Sequence, residues 1–155
     1  MRKNQKGFSL IELLIVVAII LIIAAIAIPN LLRARISANE ASAVASCRTM
    51  NTASITYNSS YGSYATALSN LGPSNGATPT STDADLLDGV LAPTGGGAAT
   101  KSGYTFTYVP LAGGYTINAN PVSVNQTGVR YFFTDQSGVV RFNAAQAAAV
   151  TDSPL

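Results

Sequence analysis

Residues 8–28 read FSLIELLIVVAIILIIAAIAI, an unbroken apolar run that contains a single charged side chain, Glu12. Rising about 1.5 Å per residue as a helix, the run covers roughly 30 Å, the hydrocarbon thickness of a bilayer. Such a surface has to be buried in lipid or in protein, and this governs how the rest of the chain is read. With 155 residues in all, the chain has room for this helix and one further domain. Arg2, Lys3 and Lys6 precede the run, whereas Arg33 and Arg35 follow it. The excess favours a cytoplasmic N-terminus with the remainder outside.

Three readings fit an apolar run at this position. A secretory signal peptide has a shorter apolar stretch and a small-residue cleavage site flanked by polar residues; here "AAIAIPN" continues into further helix-like sequence. A plain single-pass anchor accounts for the length and leaves Glu12 unexplained. A carboxylate costs roughly 2.5 kcal/mol or more near the centre of a bilayer, and less near an end. The third reading is that Glu12 serves a purpose. It suits the positive end of the helix dipole. It also shares a helix face with Phe8, four residues earlier, whose amine is freed if the chain is cut after Gly7. On this reading Glu12 awaits a positive charge within an apolar phase.

The segment "KGFSLIELLIVVAIILIIAAIAIPNL" resembles the N-terminus of type IV prepilins and of the related type II secretion pseudopilins. The shared pattern is a short basic leader ending in Gly, an aromatic first mature residue, a hydroxyl, apolar pairs, and Glu five residues after the Gly. The resemblance covers about residues 1–35. It implies cleavage between Gly7 and Phe8 by a prepilin peptidase that also N-methylates Phe8. It further implies residence in the bacterial inner membrane, contact with an inner-membrane assembly platform, and extraction into a homopolymeric helical filament outside the cell. There Glu12 is expected to meet the Phe8 amine of a neighbouring copy. A charge pair in a dry core is costly to break when one partner is missing, so the pair sets register more than it adds stability.

Pro29 lacks an N–H and crowds the carbonyl of Ala25, which predicts a helix break near residues 24–29. Residues 30–60 contain neither Gly nor further Pro. Ile36, Ala43, Cys47, Met50, Ser54, Tyr57 and Tyr61 recur at steps of three, four or seven, which predicts an amphipathic helix with this stripe against a head domain. Arg33, Arg35, Glu40 and Arg48 are expected mostly off the stripe. Cys47 reads as a small buried hydrophobe, and Tyr57, Tyr61 and Tyr64 as packing residues.

Beyond residue 61 the composition turns to Gly, Ser, Thr, Asn, Ala and Pro, the chemistry of loops. "STDADLLDGVLA" (81–92) predicts a turn or two of helix. Asp83, Asp85 and Asp88 within it lack the spacing of a calcium-binding EF-hand loop and read as ordinary caps. Strand signals follow at 104–109, 115–119, 129–134 and 139–142, with "PLAGG" and "DQSG" as turns. The expected fold is α+β: a long N-terminal helix packed on an antiparallel sheet of about four strands, which is also the architecture the resemblance implies. The divisions are a leader at 1–7, an apolar helix at 8–29, an amphipathic helix at 30–61, a loop with a short helix at 62–103, a sheet at 104–142 and a tail at 143–155. The tail is expected either to pack back on the sheet or to fray.

Composition narrows function. The chain has one Cys and no His, which excludes an internal disulfide, zinc sites and His-based triads. Seven scattered acidic residues offer little for acid–base catalysis. No catalytic, cofactor or metal site is expected. Without the leader, six basic and seven acidic side chains leave a net charge of −1. Beyond residue 61 the only cations are Lys101, Arg130 and Arg141, too few for a phosphate-tracking stripe, so no clear nucleic-acid site is expected. The expected function is a structural subunit of a type IV pilus, with a pseudopilin as the alternative. Gly7→Leu is expected to leave the leader attached, visible as a larger mass of the isolated subunit, and to block assembly. Glu12→Ala is expected to be cut normally yet assemble poorly; equal behaviour of the two variants contradicts this reading.

Overall fold

The computed structural model describes residues 7–155; positions 1–6, with the leader cations Arg2, Lys3 and Lys6, lie outside the described residues. Helix α1 spans Leu10–Tyr61, and six strands follow: β1 (Ala99–Lys101), β2 (Tyr104–Leu111), β3 (Gly114–Pro121), β4 (Tyr131–Asp135), β5 (Arg141–Asn143) and β6 (Ser153–Pro154). The class is α+β, one long helix and an antiparallel sheet. The contacts divide the chain into an N-terminal unit, Met1–Arg35, and a head, Ile36–Leu155.

Pro29 lies inside α1, which continues through it. The break expected there is absent. The missing N–H removes one backbone bond, to the Ala25 carbonyl. One residue later Asn30 adds a donor of its own, its Nδ2 lying 3.0 Å from the Ile26 carbonyl oxygen. Residues without Gly on either side keep the remaining ladder helical.

In the head, Ala43, Cys47, Met50, Ser54 and Tyr57 are buried, Ile36 is half-buried and Tyr61 lies at the rim. Val44, Ala53, Ser46, Asn51 and Glu40 are buried as well. Glu40 therefore does not fall off the stripe. It precedes Ala43 by three positions and Cys47 by seven, so helical geometry puts it on the same face.

The strands form an antiparallel meander in the order β1-β2-β3-β4-β5-β6. The four expected strands correspond to β2 to β5, and two short edge strands complete the sheet. β1 is joined to β2 through Ser102 and Gly103, with φ of 49° and 72°. Two left-handed residues in a two-residue loop make a turn whose twist matches that of the flanking strands. The "PLAGG" loop is tighter than expected: Leu111 faces Gly114, leaving only Ala112 and Gly113 outside the ladder. In "DQSG", Asp135 accepts the Ser137 N–H through Oδ1 at 2.9 Å, and its carbonyl accepts Gly138 N–H at 3.0 Å.

Alternation sends Tyr115, Ile117 and Ala119 of β3 inward with Tyr104, Phe106 and Phe132. Together with the α1 stripe, Leu71, Leu87 and Leu91 they form the core. The other face of the sheet is partly covered by the tail: Asn118 Nδ2 donates to the Ala148 carbonyl at 2.9 Å, and Phe133 is buried although it faces outward. The tail therefore packs back and does not fray.

The short helix lies elsewhere than expected. It is a 3-10 turn at Leu68–Leu71, and residues 81–92 form no helix. Asp85 there has φ 55°, which interrupts any helical run. One capped turn survives, with the Leu91 N–H bonded to Asp88 Oδ1 at 2.8 Å.

Gly128 is needed for space: a Cβ at this position runs into the Tyr104 hydroxyl. Gly128→Ala is expected to displace Tyr104 and lower stability by about 1–3 kcal/mol, measured by urea unfolding of the full-length protein in detergent. Unchanged stability contradicts this account of the packing.

Candidate assembly segment and its anchor in the head

The N-terminal unit begins with Gly7 and Phe8, both exposed and ahead of α1. Ser9 is the cap residue: its carbonyl accepts the Leu13 N–H at 3.3 Å. Glu12 occupies the third helical position and turns back, its Oε2 accepting the Ser9 N–H at 2.9 Å. This is one half of a capping box, the Ser-x-x-Glu arrangement in which the carboxylate occupies an otherwise orphan backbone donor. The Ser-x-x-Glu spacing is visible in "SLIE", and it adds a backbone partner to the helix dipole and the Phe8 amine expected for Glu12. Gly7 and Phe8 directly precede this capped turn. Pro29 lies roughly 25 Å further along α1 at the rise of a helix.

Across residues 8–32 every large apolar side chain, from Phe8 to Leu32, is between 43% and 86% exposed. The helix is long and apolar enough to cross a membrane. No charge besides Glu12 interrupts it before Arg33.

The head holds its own stretch of α1 by polar contacts set into the apolar core. Glu40 accepts the backbone N–H groups of Val129 and Arg130 at 3.0 and 3.1 Å through Oε1, and Arg130 Nε at 2.7 Å through Oε2. The guanidinium also lies 5.5 Å from the ring centres of both Phe132 and Phe142. Asn39 Nδ2 reaches the Thr127 carbonyl at 2.9 Å. Residues 122–130 are thereby tied to the helix. About three turns along, Asn51 donates to Thr134 Oγ1 at 2.7 Å and accepts the Tyr115 hydroxyl at 3.0 Å. Tyr57 donates to the Ser81 carbonyl at 2.6 Å, and Tyr108 to that of Ala65 at 3.0 Å.

The tyrosines pack. Tyr57 and Tyr61 lie 4.7 Å apart by ring centre, and Tyr115 contacts Tyr64 and Tyr108 at 5.1 and 5.5 Å. Burial pushes Tyr115 up to about 12 and raises Tyr104 and Tyr108, so these phenols stay protonated donors. Burial likewise pushes the Cys47 thiol up to about 12, leaving it almost no thiolate at neutral pH. Among the described residues no three His, Cys, Asp or Glu side chains gather where they can hold a metal ion. Asp88 pairs instead with Lys101 at 3.4 Å.

Known proteins match the N-terminal segment. The family described as the prokaryotic N-terminal methylation motif matches residues 2–28. The type IV wide pilus major component PilA4 of Thermus thermophilus is 68% identical over 38 residues, 24% of this chain and 29% of that protein. The N-terminal segment is therefore similar to that of a type IV pilin and carries the N-terminal methylation motif. The chain matches under a third of the length of that pilin relative. No solved structure matches significantly.

In the head, Glu40 links stability to pH. Burial raises its carboxyl, but the Val129 and Arg130 amides and the Arg130 guanidinium outweigh it and hold the group below the ordinary carboxylate range. Its contribution is fully present above the unfolded value of about 4.3 and is lost as the pH falls through the lower folded value. Glu40→Gln is expected to lower stability at pH 7 by about 2 kcal/mol and to flatten the acid limb of the stability curve, read by urea unfolding between pH 3 and pH 7. An unaltered acid limb contradicts the role.

Proposed function

We propose that the chain is a structural subunit of a type IV pilus that polymerises through its N-terminal helix. The observation that carries this reading is the apolar surface of residues 8–32, exposed all round in a segment that matches the prokaryotic N-terminal methylation motif. A single subunit leaves that surface uncovered, and lipid or further copies of the same helix can cover it. The prepilin peptidase cuts between Gly7 and Phe8 and methylates the Phe8 amine. The subunit waits in the inner membrane with its head outside the cytoplasm, then passes through the assembly platform into a surface filament. In that filament Glu12 meets the Phe8 amine of a neighbour. It arrives already bonded to the Ser9 N–H, so the carboxylate has an intrachain partner while it waits. The Ala25 carbonyl, deprived of a donor by Pro29, marks where α1 opens if the filament requires a shorter helix. Adhesion, twitching motility and DNA uptake are the uses such a filament serves.

Electron microscopy of filaments sheared from cells, with mass spectrometry of the subunit, tests the proposal. Abundant surface filaments whose N-terminal peptide begins at methylated Phe8 are the expected result. Absence of surface filaments, together with a secretion defect on deletion, assigns the chain to the pseudopilins instead.

A further inference from the structure

β1 pairs with β2 at three positions, Ala99, Thr100 and Lys101 facing Phe106, Thr105 and Tyr104. β2 runs on to Leu111. The two hairpins determine which edge each β2 residue serves. Residues that close a two-residue loop form a hydrogen-bonded pair, and bonded and non-bonded pairs alternate from there. Counting from Leu111 and Gly114, the residues Thr107 and Val109 bond toward β3. Counting from Lys101 and Tyr104, the residues Tyr104, Phe106, Tyr108 and Pro110 turn their backbone groups to the opposite edge. β1 satisfies the first two. The Tyr108 N–H and C=O find no backbone partner among the described residues, and Pro110 has no N–H to offer.

The chain entering β1 leaves this edge at a run of three glycines. Gly95 and Gly96 have φ of 84° and 76°, a conformation glycine adopts at no steric cost and one that turns the chain away from an extended path. Between this segment and the sheet lies a groove of about 420 Å³, lined by Thr66, Gly96, Gly97, Ala98, Thr107 and Tyr108 among others. The register already set by Ala99 and Phe106 carries on to Ala98 facing Thr107 and Gly97 facing Tyr108.

We propose that residues 95–98 are a strap that closes on the open edge of β2, lengthening β1 by pairing Gly97 with Tyr108 and filling the groove. Closure adds two backbone hydrogen bonds and orders glycines, the residues that lose most freedom on ordering. The two effects nearly cancel, so both states are populated. Pro110 stops the zipper, because the next bonding position lacks a donor.

The closed register puts Gly96 opposite Val109 as a non-hydrogen-bonded pair, with Cα atoms about 4.5 Å apart, within the reach of a disulfide. In the Gly96→Cys/Val109→Cys protein, full-length in detergent, mild oxidation is expected to form an intramolecular cross-link in most chains, seen as a loss of two hydrogens by mass. Buried Cys47 does not compete. Failure to cross-link overturns the proposal. In a second variant, Gly95→Val/Gly96→Val, positive φ is disfavoured, and hydrogen exchange at the Tyr108 amide is expected to slow at least tenfold with β3 amides unchanged. Unchanged Tyr108 exchange over an intact β3 also overturns it; if β3 protection is lost, the cysteine pair alone decides.

Discussion

A helix presents every side of itself within two turns, and this periodicity is the constraint on which the chain is built. Through residue 32 of α1 the side chains are apolar in every direction, so no single neighbour can cover them. From Ile36 onward the buried residues keep to one stripe, Ala43, Cys47, Met50, Ser54 and Tyr57 among them, which suits a helix packed on one partner surface. One continuous element therefore carries two solvation requirements. Glu12 fits the first because it lies in the first turn of α1, where an orphan backbone donor awaits it. Glu40 fits the second because the head brings three N–H groups to it. Each carboxylate in α1 is tolerated in an apolar setting by donors suited to its position.

The head reaches a specific structure without a covalent staple. Its interior is mainly aromatic and aliphatic, and burial of side chains such as Ile117, Phe132 and Leu71 supplies most of the stabilisation, about 1.5–3 kcal/mol each. Hydrogen bonds near 1 kcal/mol each are smaller, yet they decide alignment. Asn51 links helix to sheet at one level, and Glu40 and Asn39 at another. At the C-terminus, Asp152 accepts from Asn143 Nδ2 and Ala149 N–H at 3.0 and 2.8 Å, and its carbonyl accepts from Arg141 at 3.0 Å. A tail rich in alanine is thus fastened by one acid and its neighbours.

How much of this could be read beforehand depended on whether the cause was local. The α1 stripe, the two central hairpins and the inert setting of Cys47 follow from periodicity and turn residues. β1 was missed although Ser102 and Gly103 are a recognisable tight turn, because three residues make too short a run to stand out from a loop. The charge of Glu40 predicts exposure, whereas its spacing from Ala43 and Cys47 puts it on the buried face. Its partners lie about ninety residues away, and no local pattern announces them. The helix expected at residues 81–92 gave way to backbone contacts with Leu71 and Gly72, again a tertiary effect. At the N-terminus, the Ser9 to Glu12 contact was legible and overlooked, and Pro29 was given more power to disrupt than one lost bond carries.

Pro110 has a consequence for crowding. In the proposed filament, heads held at high local concentration would meet one another at open strand edges, which invite neighbouring sheets to join and fuse into an insoluble cross-strand ladder. A proline on the open edge of β2 limits such a ladder to a single residue. In the proposed filament, heads can then lie close and still remain separate folded bodies, with order along the fibre left to the helices rather than to merging of the sheets.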